Sequence, residues 1–342
     1  MIKKIIKRIL SNFGLMGAYE ASRENYHRLR KLKFYFRDAI ISLRDMRWTG
    51  QAEDRYWAAS AELLFQYHKL EKGLCMPGPK RFFGYDPATS TLELLDAWRQ
   101  RGYSTDNPIY QGAFEALHAY RERIEQTYPD NVELLTSKID TELAKNQIRF
   151  PQLKTPVPFG AEISEQAIGE FECLVQARRS VRSYQLRPVP NEIVIRAIQS
   201  AQLSPSACNR QPCRVHVYAE RKRIDELLSL QNGNRGFGHT APLLLVLTAE
   251  ASCFFDASER YEPYIDGGLF GMSLLLSLQA QGISSCCLNW CVEPMQDIKA
   301  HECGDIPSSE RIIMYIAAGY AELETTVPRS PRRGIQDVFV VH

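Results

Sequence analysis

The chain has 342 residues, with 42 lysines and arginines against 40 aspartates and glutamates, and a net charge of +2. So balanced a charge excludes the strong overall field of a typical nucleic-acid-binding protein, and any anion site must therefore be local. The length and the 44% apolar content are enough for two globular domains, each with its own core.

The nine cysteines indicate a reducing compartment. Their number is odd, no pair has C-x-x-C spacing, and no secretory signal is recognisable. We therefore expect reduced thiols in a cytoplasmic protein. Cys286, Cys287 and Cys291 are close in sequence, but they lie in an apolar segment, SSCCLNW, without a nearby histidine, so we predict no metal site.

The N-terminal segment MIKKIIKRILSNF predicts a basic amphipathic helix. Apolar residues recur there at helical spacing, and Lys3, Lys4, Lys7 and Arg8 fall between them. Such a helix can bind peripherally to an anionic membrane surface, or it can pack its apolar stripe on protein, and the pattern leaves both open. No apolar run reaches the roughly 20 residues that a membrane-spanning helix needs.

The first half of the chain is predicted to be all helical. From about residue 20 to 148 every periodic segment has helical spacing, and one face is formed by Tyr26, Leu29, Leu32, Phe36, Ile40 and Leu43. The segment RFPQLKTPVPFG at 149–160 then breaks any helix and is typical of a linker. We therefore predict an all-α domain with its linker over 1–160 and a second domain over 161–342.

The second domain has a mixed pattern of helices and strands. Helices are predicted from about Ser164 and around 190–202, and the strand candidates are RVHVYA, PLLLVLTA, SSCCLNW and IIMYIAAGY. Between the second and third strands, DGGLFGMSLLLSLQAQG predicts a helix that is apolar nearly all round. We expect this helix to be central and buried, as in the core of a dimer.

Three short blocks in this domain carry groups suited to a flat, phosphorylated ligand. In QARRSVRSYQ, three arginines lie close together directly after a helical run. Such a group of cations can bind a phosphate through charge-assisted hydrogen bonds. In SPSACNRQPCR, serine and amide side chains follow a helix in a turn-prone segment and can bind the edge of a heterocycle. In VPRSPRRG, three further arginines follow the last strand.

These blocks, in the order RRSVRSY, SPSACNRQP, the D-G-G helix, IAAGY and PRSPRR, resemble the FMN-dependent nitroreductase family over roughly 164–342. The resemblance implies an α+β domain built as an α/β/α sandwich with a central mixed β-sheet. It also implies a homodimer that binds FMN in two interface sites. NADH or NADPH would reduce the FMN, and a small molecule such as a quinone, a nitro compound or an activated alkene would accept the hydride.

The resemblance assigns the FMN phosphate to Arg178 and Ser180, joined by Arg329 and Arg332, and it places Arg182 near the ribityl chain and the pyrimidine edge. Ser206 and Asn209 would approach the ring from the second subunit. Either Asn232 or Asn234 would bind the pyrimidine edge. The full predicted cofactor-binding set is Arg178, Arg179, Ser180, Arg182, Pro205, Ser206, Asn209, Gln211, Asn232, Asn234, Cys287, Leu288, Asn289, Arg329 and Arg332. No catalytic side chain is predicted, because the cofactor performs the transfer.

The sequence departs from the family in the residues near the presumed ring. Cys213 stands where relatives often carry an aromatic residue, and Asn289 and Trp290 replace an acidic-glycine pair, which leaves the substrate open. Cys208 and Cys213 are expected to be packing residues, because a reactive thiol needs a depressed pKa. An alternative function is a flavin-binding scaffold with low turnover, recruited to a membrane-bound biosynthetic assembly.

The helical half contains one unusual stretch, YHKLEKGLCMPGPKRFFG, in which a helix is predicted to end at Gly73 before a proline-rich loop. It can be a lid or substrate contact, or a capped helix with solvated lysines and an aromatic anchor. The stretch resembles, more loosely, N-terminal extensions of nitroreductase-like proteins linked to surface-polysaccharide gene clusters, which would make a pathway intermediate another candidate acceptor.

Overall fold

The computed structural model describes residues 12, 15–46, 56–77, 81–128, 132–145, 155–157, 159–160 and 162–342. Apart from residue 12, the predicted basic helix at 1–13 lies outside the described residues, as does most of the predicted linker at 149–160. The domain boundary within that linker stays a prediction. None of the described helices is both long enough and apolar enough to cross a membrane.

The described part of the first half is entirely helical, as the periodicity predicts. Its helices are α1 (Met16–Asp45), α2 (Tyr56–Cys75), α3 (Tyr85–Gln100), α4 (Pro108–Thr127) and α5 (Glu133–Lys145). Helices α2 to α5 enclose one core of leucines and aromatic residues, among them Leu64, Trp98, Phe114 and Tyr120. Helix α1 contributes nothing to that core, and the predicted face from Tyr26 to Leu43 is exposed in the single chain.

The second half is an α/β/α sandwich. Its helices are α6 (Glu165–Ala177), α7 (Asn191–Ala201), α8 (Arg221–Ser229), α9 (Glu262–Ala280) and α10 (Pro294–Gly304). Its strands are β1 (Cys213–Tyr218), β2 (Leu243–Glu250), β3 (Ser284–Asn289) and β4 (Glu310–Gly319), and their order in the sheet is β1-β2-β4-β3. Apolar residues of α7 and α9 pack on one face of the sheet, and those of α8 and α10 pack on the other. The predicted fold class is confirmed.

The ladders refine the predicted mixed sheet. All three strand pairs are antiparallel, and the parallel pairing in the described residues is the isolated bridge between Ser180 and Ser285. The pairing of β4 with β2 and with β3 matters for the site, because it fixes which residues lie at each end of the sheet.

Helix α9 is covered on one side within the single chain, and helix α2 ends later than the sequence predicts. Helix α9 is buried only on the side of Phe270, Leu274 and Leu278, and Ile265 and Leu269 on its other side are exposed. Helix α2 continues past Gly73 to Cys75, and the ring of Phe83 fills the space where a Cβ of residue 73 would stand.

A buried polar cluster positions α2 against the sheet. Glu310 is fully buried and accepts hydrogen bonds from Arg214 and Thr248, and its Oε2 lies 2.7 Å from Nε2 of His216. Burial alone would raise the pKa of Glu310, but the hydrogen bonds from His216 and Thr248 outweigh it and hold the pKa below its usual range. The Arg214 guanidinium also lies 5.4 Å from the ring centroid of Trp57 in α2, so the helical half and the sheet share one anchor.

Candidate cofactor site

The segment RRSVRS runs alongside the edge strand β3. Ser164 caps α6 by accepting a hydrogen bond from the Ala167 N–H at 3.2 Å, and α6 ends at Ala177, so Arg178 is the first residue of the extended segment that follows. Val181 N–H then donates to Ser285 O at 3.1 Å, next to the parallel bridge from Ser180. The backbone therefore places the arginine cluster beside the strand predicted to line the flavin.

The three arginines differ in what they bind. Arg179 donates to two nearby backbone carbonyls, Gln176 O and, at 2.9 Å, Arg178 O. Arg182 is exposed, its guanidinium lies 6.0 Å from the Phe237 ring centroid, and it donates to Ser180 O at 3.3 Å. The side chain of Arg178 is half-buried and forms no hydrogen bond or ion pair within the described residues. Arg178 is therefore the guanidinium in this cluster that is free to hold an anion.

Arg178 and Arg182 lie close to the two thiols of β3. Cys287 is exposed at the surface of the single chain, but the protein around its thiol still raises its pKa to about 11 by desolvation, against a lowering by Arg178. Burial likewise raises the pKa of Cys286, against a lowering by Arg182. Both thiols stay protonated at neutral pH, so neither neutralises the arginines. The positive charges of Arg178 and Arg182 beside β3 are therefore not compensated by these two thiols.

The loop QNGN lies against the same strand. Gln231 is buried and donates to Asn289 O at 2.9 Å. The Asn234 amide donates to Leu228 O and Gln231 O, both at 2.7 Å, which ties the loop to itself. Asn232 is exposed and its side chain has no hydrogen bond in the described part of the chain. Of the two predicted asparagines, Asn232 is therefore the one whose amide is available to a ligand.

The loop SPSACNRQP lies at another corner of the sheet. Cys208, Asn209 and Gln211 have positive φ values of 51°, 56° and 49°, a conformation that side chains rarely adopt. Ser206 Oγ accepts from Gln211 N–H at 3.0 Å, and both carboxylate oxygens of Asp266 accept from Ala207 N–H at 3.2 Å. These bonds hold the loop in its strained form.

This loop is packed from the other side by the helical half. Arg210 is buried, its Nη2 lies 2.5 Å from Glu259 Oε1, and its guanidinium is 5.6 Å from the Phe65 ring centroid in α2. Lys69 of α2 lies 3.9 Å above the same ring. Helix α2, which carries the start of the unusual stretch, therefore packs against the loop, and the sequence pattern alone did not indicate this contact.

Cys213, the residue that follows this loop, is half-buried. Burial raises the pKa of Cys213 to about 12, with Asp266 adding to the effect. A thiol with so high a pKa is a poor nucleophile at neutral pH.

One chain does not bring all the predicted residues together. The loop 204–212 precedes β1 at one edge of the sheet, and the arginine segment lies against β3 at the other. Three strand spacings of about 4.8 Å separate these edges. The two groups also lie at opposite ends of the strands, because Cys213 shares an end with Arg311, whereas Ser285 shares the other end with Ala318.

The third block also stays apart. Beyond Glu322, whose N–H donates to Ser183 O at 3.2 Å, the C-terminal segment is almost wholly exposed. Arg329 is exposed, and Arg332 donates at 2.6 Å to Ser330 O in its own segment. Neither forms a hydrogen bond with a residue of the arginine segment within the described part of the chain. Sequence reasoning missed Gln231, although its place beside the two asparagines of QNGN was a usable signal.

Comparisons with known proteins bear on this region. Residues 175–320 match the model of the Nitroreductase family, which confirms the predicted resemblance over that part of the chain. The chain is similar to iodotyrosine deiodinase of Danio rerio, with 22% identity over 243 residues that cover 62% of this chain and 80% of that protein. It is similar to iodotyrosine deiodinase 1 of Sus scrofa, with 23% identity over 210 residues, 50% of this chain and 68% of that protein.

Solved structures are similar over the same half. One is a nitroreductase in complex with FMN from Desulfovibrio desulfuricans, at 20% identity and a TM-score of 0.43, covering 50% of this chain and 95% of that chain.

Proposed function

Residues 175–320 form a nitroreductase-family domain, and on this premise we propose that the protein is an FMN-dependent oxidoreductase that passes a hydride from NADH or NADPH to a small organic acceptor. The observation that carries the proposal is the free, half-buried guanidinium of Arg178 beside the edge of β3. Because this side chain has no partner among the described residues, its donors are available for charge-assisted hydrogen bonds to a phosphate.

The residues along β3 fit FMN in kind. Arg178 and the Ser180 hydroxyl would hold the phosphate through charge-assisted hydrogen bonds. β3 is an edge strand, and Ser285 O already points away from β4, so the backbone groups of Cys287 also point away and suit the polar edge of a flat ring. Those of Leu288 face β4, and Asn289 O accepts from Gln231. The free amide of Asn232 offers both a donor and an acceptor.

When bound, FMN supplies the hydride transfer itself, and the protein binds, orients and shields it. Arg182 would place positive charge near the pyrimidine edge, where negative charge develops on reduction, and so favour the reduced state. No side chain is needed as a nucleophile.

We further propose that the working unit is a homodimer. Loop 204–212 and the arginine segment occupy opposite corners of one sheet, so a partner subunit is needed to bring Ser206 and Asn209 to the ligand bound by Arg178. The exposed C-terminal segment begins beside Ser183, from where Arg329 and Arg332 would reach toward a phosphate site shared by the two chains.

Replacing Arg178 tests the phosphate site. We expect Arg178→Ala to weaken FMN binding by about 10- to 100-fold, the loss of one charge-assisted hydrogen bond to phosphate. The matched control is Arg196→Ala, an exposed arginine of α7 that should leave FMN binding unchanged. The measurement is fluorescence titration of apoprotein with FMN, after mass spectrometry has identified the flavin released from purified wild-type protein. Equal FMN affinity in wild type and Arg178→Ala contradicts the assignment.

Reduction of the bound flavin separates an oxidoreductase from a scaffold with little turnover. Anaerobic stopped-flow mixing with NADH and with NADPH is expected to bleach the flavin absorbance, and an added quinone or nitro compound should restore it. A yellow protein that neither nucleotide bleaches excludes the nicotinamide-dependent reaction.

A further inference from the structure

A large cavity lies where β4 extends beyond β3. The pairing of β3 with β4 ends at Asn289 and Met314, so the first part of β4, from Glu310 to Ile313, is paired with β2 alone. Because no described strand pairs with this part of β4 on the side of β3, a notch of about 910 Å³ remains there. It is bounded by the end of β3, the start of β4, α10 and α1. Its lining includes Cys287 and Asn289, so whatever occupies it lies next to the proposed flavin.

Helix α1 forms the roof of this cavity, and polar contacts to the second domain hold it there. Arg37 Nη2 lies 2.5 Å from Asp297 Oδ2, and Arg37 Nη1 donates to Pro294 O at 2.8 Å. Lys33 Nζ lies 3.1 Å from Glu293 Oε2, and Arg44 donates to Ser308 O at 2.9 Å. These bonds run along α1 from one end of the cavity to the other, so the roof is positioned specifically.

The walls combine an apolar surface with one ordered aromatic ring. Trp290 stacks on Tyr315 with ring centroids 4.5 Å apart, and its Nε1 donates to Asp297 Oδ1 at 2.7 Å. The remaining apolar lining comes from Phe34, Ile41, Ile298, Ile312 and Met314. Such a cavity falls in the size range of small-molecule sites, and its walls favour a flat apolar body.

One cation in the cavity is free. Arg311 is half-buried and its side chain forms no hydrogen bond or ion pair with any described residue. Burial lowers its pKa, against a raising by the Tyr264 phenol and by the carboxylates of Asp38, Asp45 and Asp297. Two of those carboxylates already bind other groups, since Asp45 holds Arg44 and Asp297 holds Arg37 and Trp290. The third, Asp38, also lines the cavity but forms no ion pair or hydrogen bond with Arg311, so the guanidinium keeps its donors open to an acidic group of a ligand.

We propose that this notch is the acceptor pocket, that it takes a ring-bearing monocarboxylate, and that Arg311 binds the carboxylate while Trp290 and the apolar walls enclose the ring. The inference rests on the proposed function in calling the ligand an acceptor. The site itself rests on the geometry of the cavity. It also gives the helical half a role in specificity, because α1 closes the pocket.

The test uses 4-nitrobenzoate and its neutral counterpart nitrobenzene as probes on the full-length purified protein. Binding is measured by isothermal titration calorimetry, which does not depend on turnover. We expect Arg311→Gln to weaken 4-nitrobenzoate at least tenfold and to leave nitrobenzene unchanged, because only the acid contacts the guanidinium. Arg196→Gln, on the exposed side of α7, is the matched control and should change neither.

A second variant tests the roof. Ile41→Trp adds bulk to α1 on the cavity side and is expected to weaken both probes. Failure of wild type to bind 4-nitrobenzoate, or an equal loss of both probes in Arg311→Gln, overturns the pocket assignment. Flavin content is read separately: selective loss of 4-nitrobenzoate in a protein that carries no flavin would keep the site and refute the oxidoreductase proposal.

Discussion

At the scale of single residues, the burial of Asp266 has a measurable consequence. The side chain is buried at the start of α9, close to Glu259 and Glu262, and burial raises its pKa to about 6 against a lowering by the Ala207 N–H. The ordinary pKa of an aspartate is 3.8. Between these values the native state keeps a proton that the unfolded state has released, so the free energy of unfolding falls as the pH rises through this window.

We expect Asp266→Asn to raise the free energy of unfolding at pH 7.5 by about 1 to 3 kcal/mol, since asparagine carries no charge and keeps an oxygen for the Ala207 N–H. Near pH 3.5 the aspartate is protonated in the native state and largely so in the unfolded state, and the variant should match wild type. Urea denaturation at both pH values measures the difference. A variant that gains as much stability at pH 3.5 as at pH 7.5 argues against burial of the charge as the cause.

Residue type and order in the sequence predict an anion site at the arginine cluster but do not distinguish the arginines within it. Arg178, Arg179 and Arg182 are equivalent in the pattern RRSVR, yet in the structure Arg179 binds its own backbone and Arg178 has a free side chain. Asn232 and Asn234 differ in the same way. Such differences depend on which carbonyls happen to lie within reach after the loop has closed, and no local rule of sequence specifies that.

At the scale of elements, the close packing of α9 on β4 depends on Gly267. A Cβ added there would lie 2.8 Å from Cγ1 of Ile313, and the branch at Cβ keeps both γ-carbons of Ile313 from moving away. The helix therefore lies directly on the strand at this point. The adjacent Gly268 meets no atom within 4 Å, so the two glycines of the D-G-G motif face different surroundings.

We expect Gly267→Ala to destabilise the protein by about 1 to 3 kcal/mol through overpacking. Ile313→Ala removes the γ-carbons, and the double variant should recover most of that cost, which a double-mutant cycle on urea unfolding measures as coupling. Additive effects of the two changes would show that this contact does not set the distance between α9 and the sheet.

Element type was predictable wherever one periodicity dominated a segment. All four strand candidates and the helices α6, α7 and α9 form where their patterns indicate. The end of α2 was predicted wrongly, because Gly73 is a usual helix terminator but here makes room for Phe83, ten residues later in the chain. The apolar face of α1 was predicted correctly as a pattern, although the chain does not cover it. A periodic pattern shows which face of an element can be buried. It does not show which other element covers that face.

At the scale of the whole molecule, loop 204–212 and the arginine segment lie at opposite corners of one sheet, and helix α9 carries an exposed apolar face. On α9, Ile265, Leu269 and Met272 share one face and are 51%, 44% and 43% exposed. A contiguous apolar face on a central helix is typical of an interface between subunits. Symmetric pairing would repeat each half-site twice, which is the arrangement that two identical ligand sites require.

Leu269→Arg tests this arrangement. A guanidinium placed in the middle of an apolar interface without a partner is costly enough to separate the subunits. Because Ser206 and Asn209 are expected to reach the ligand from the partner subunit, the monomer should also lose FMN. Sedimentation equilibrium gives the mass, and absorbance gives the flavin content of the same sample. Leu134→Arg, on the exposed side of α5, is the control and should leave both unchanged. A wild-type protein that is monomeric and yellow, or a Leu269→Arg monomer that keeps its FMN, would mean that one chain binds the cofactor alone.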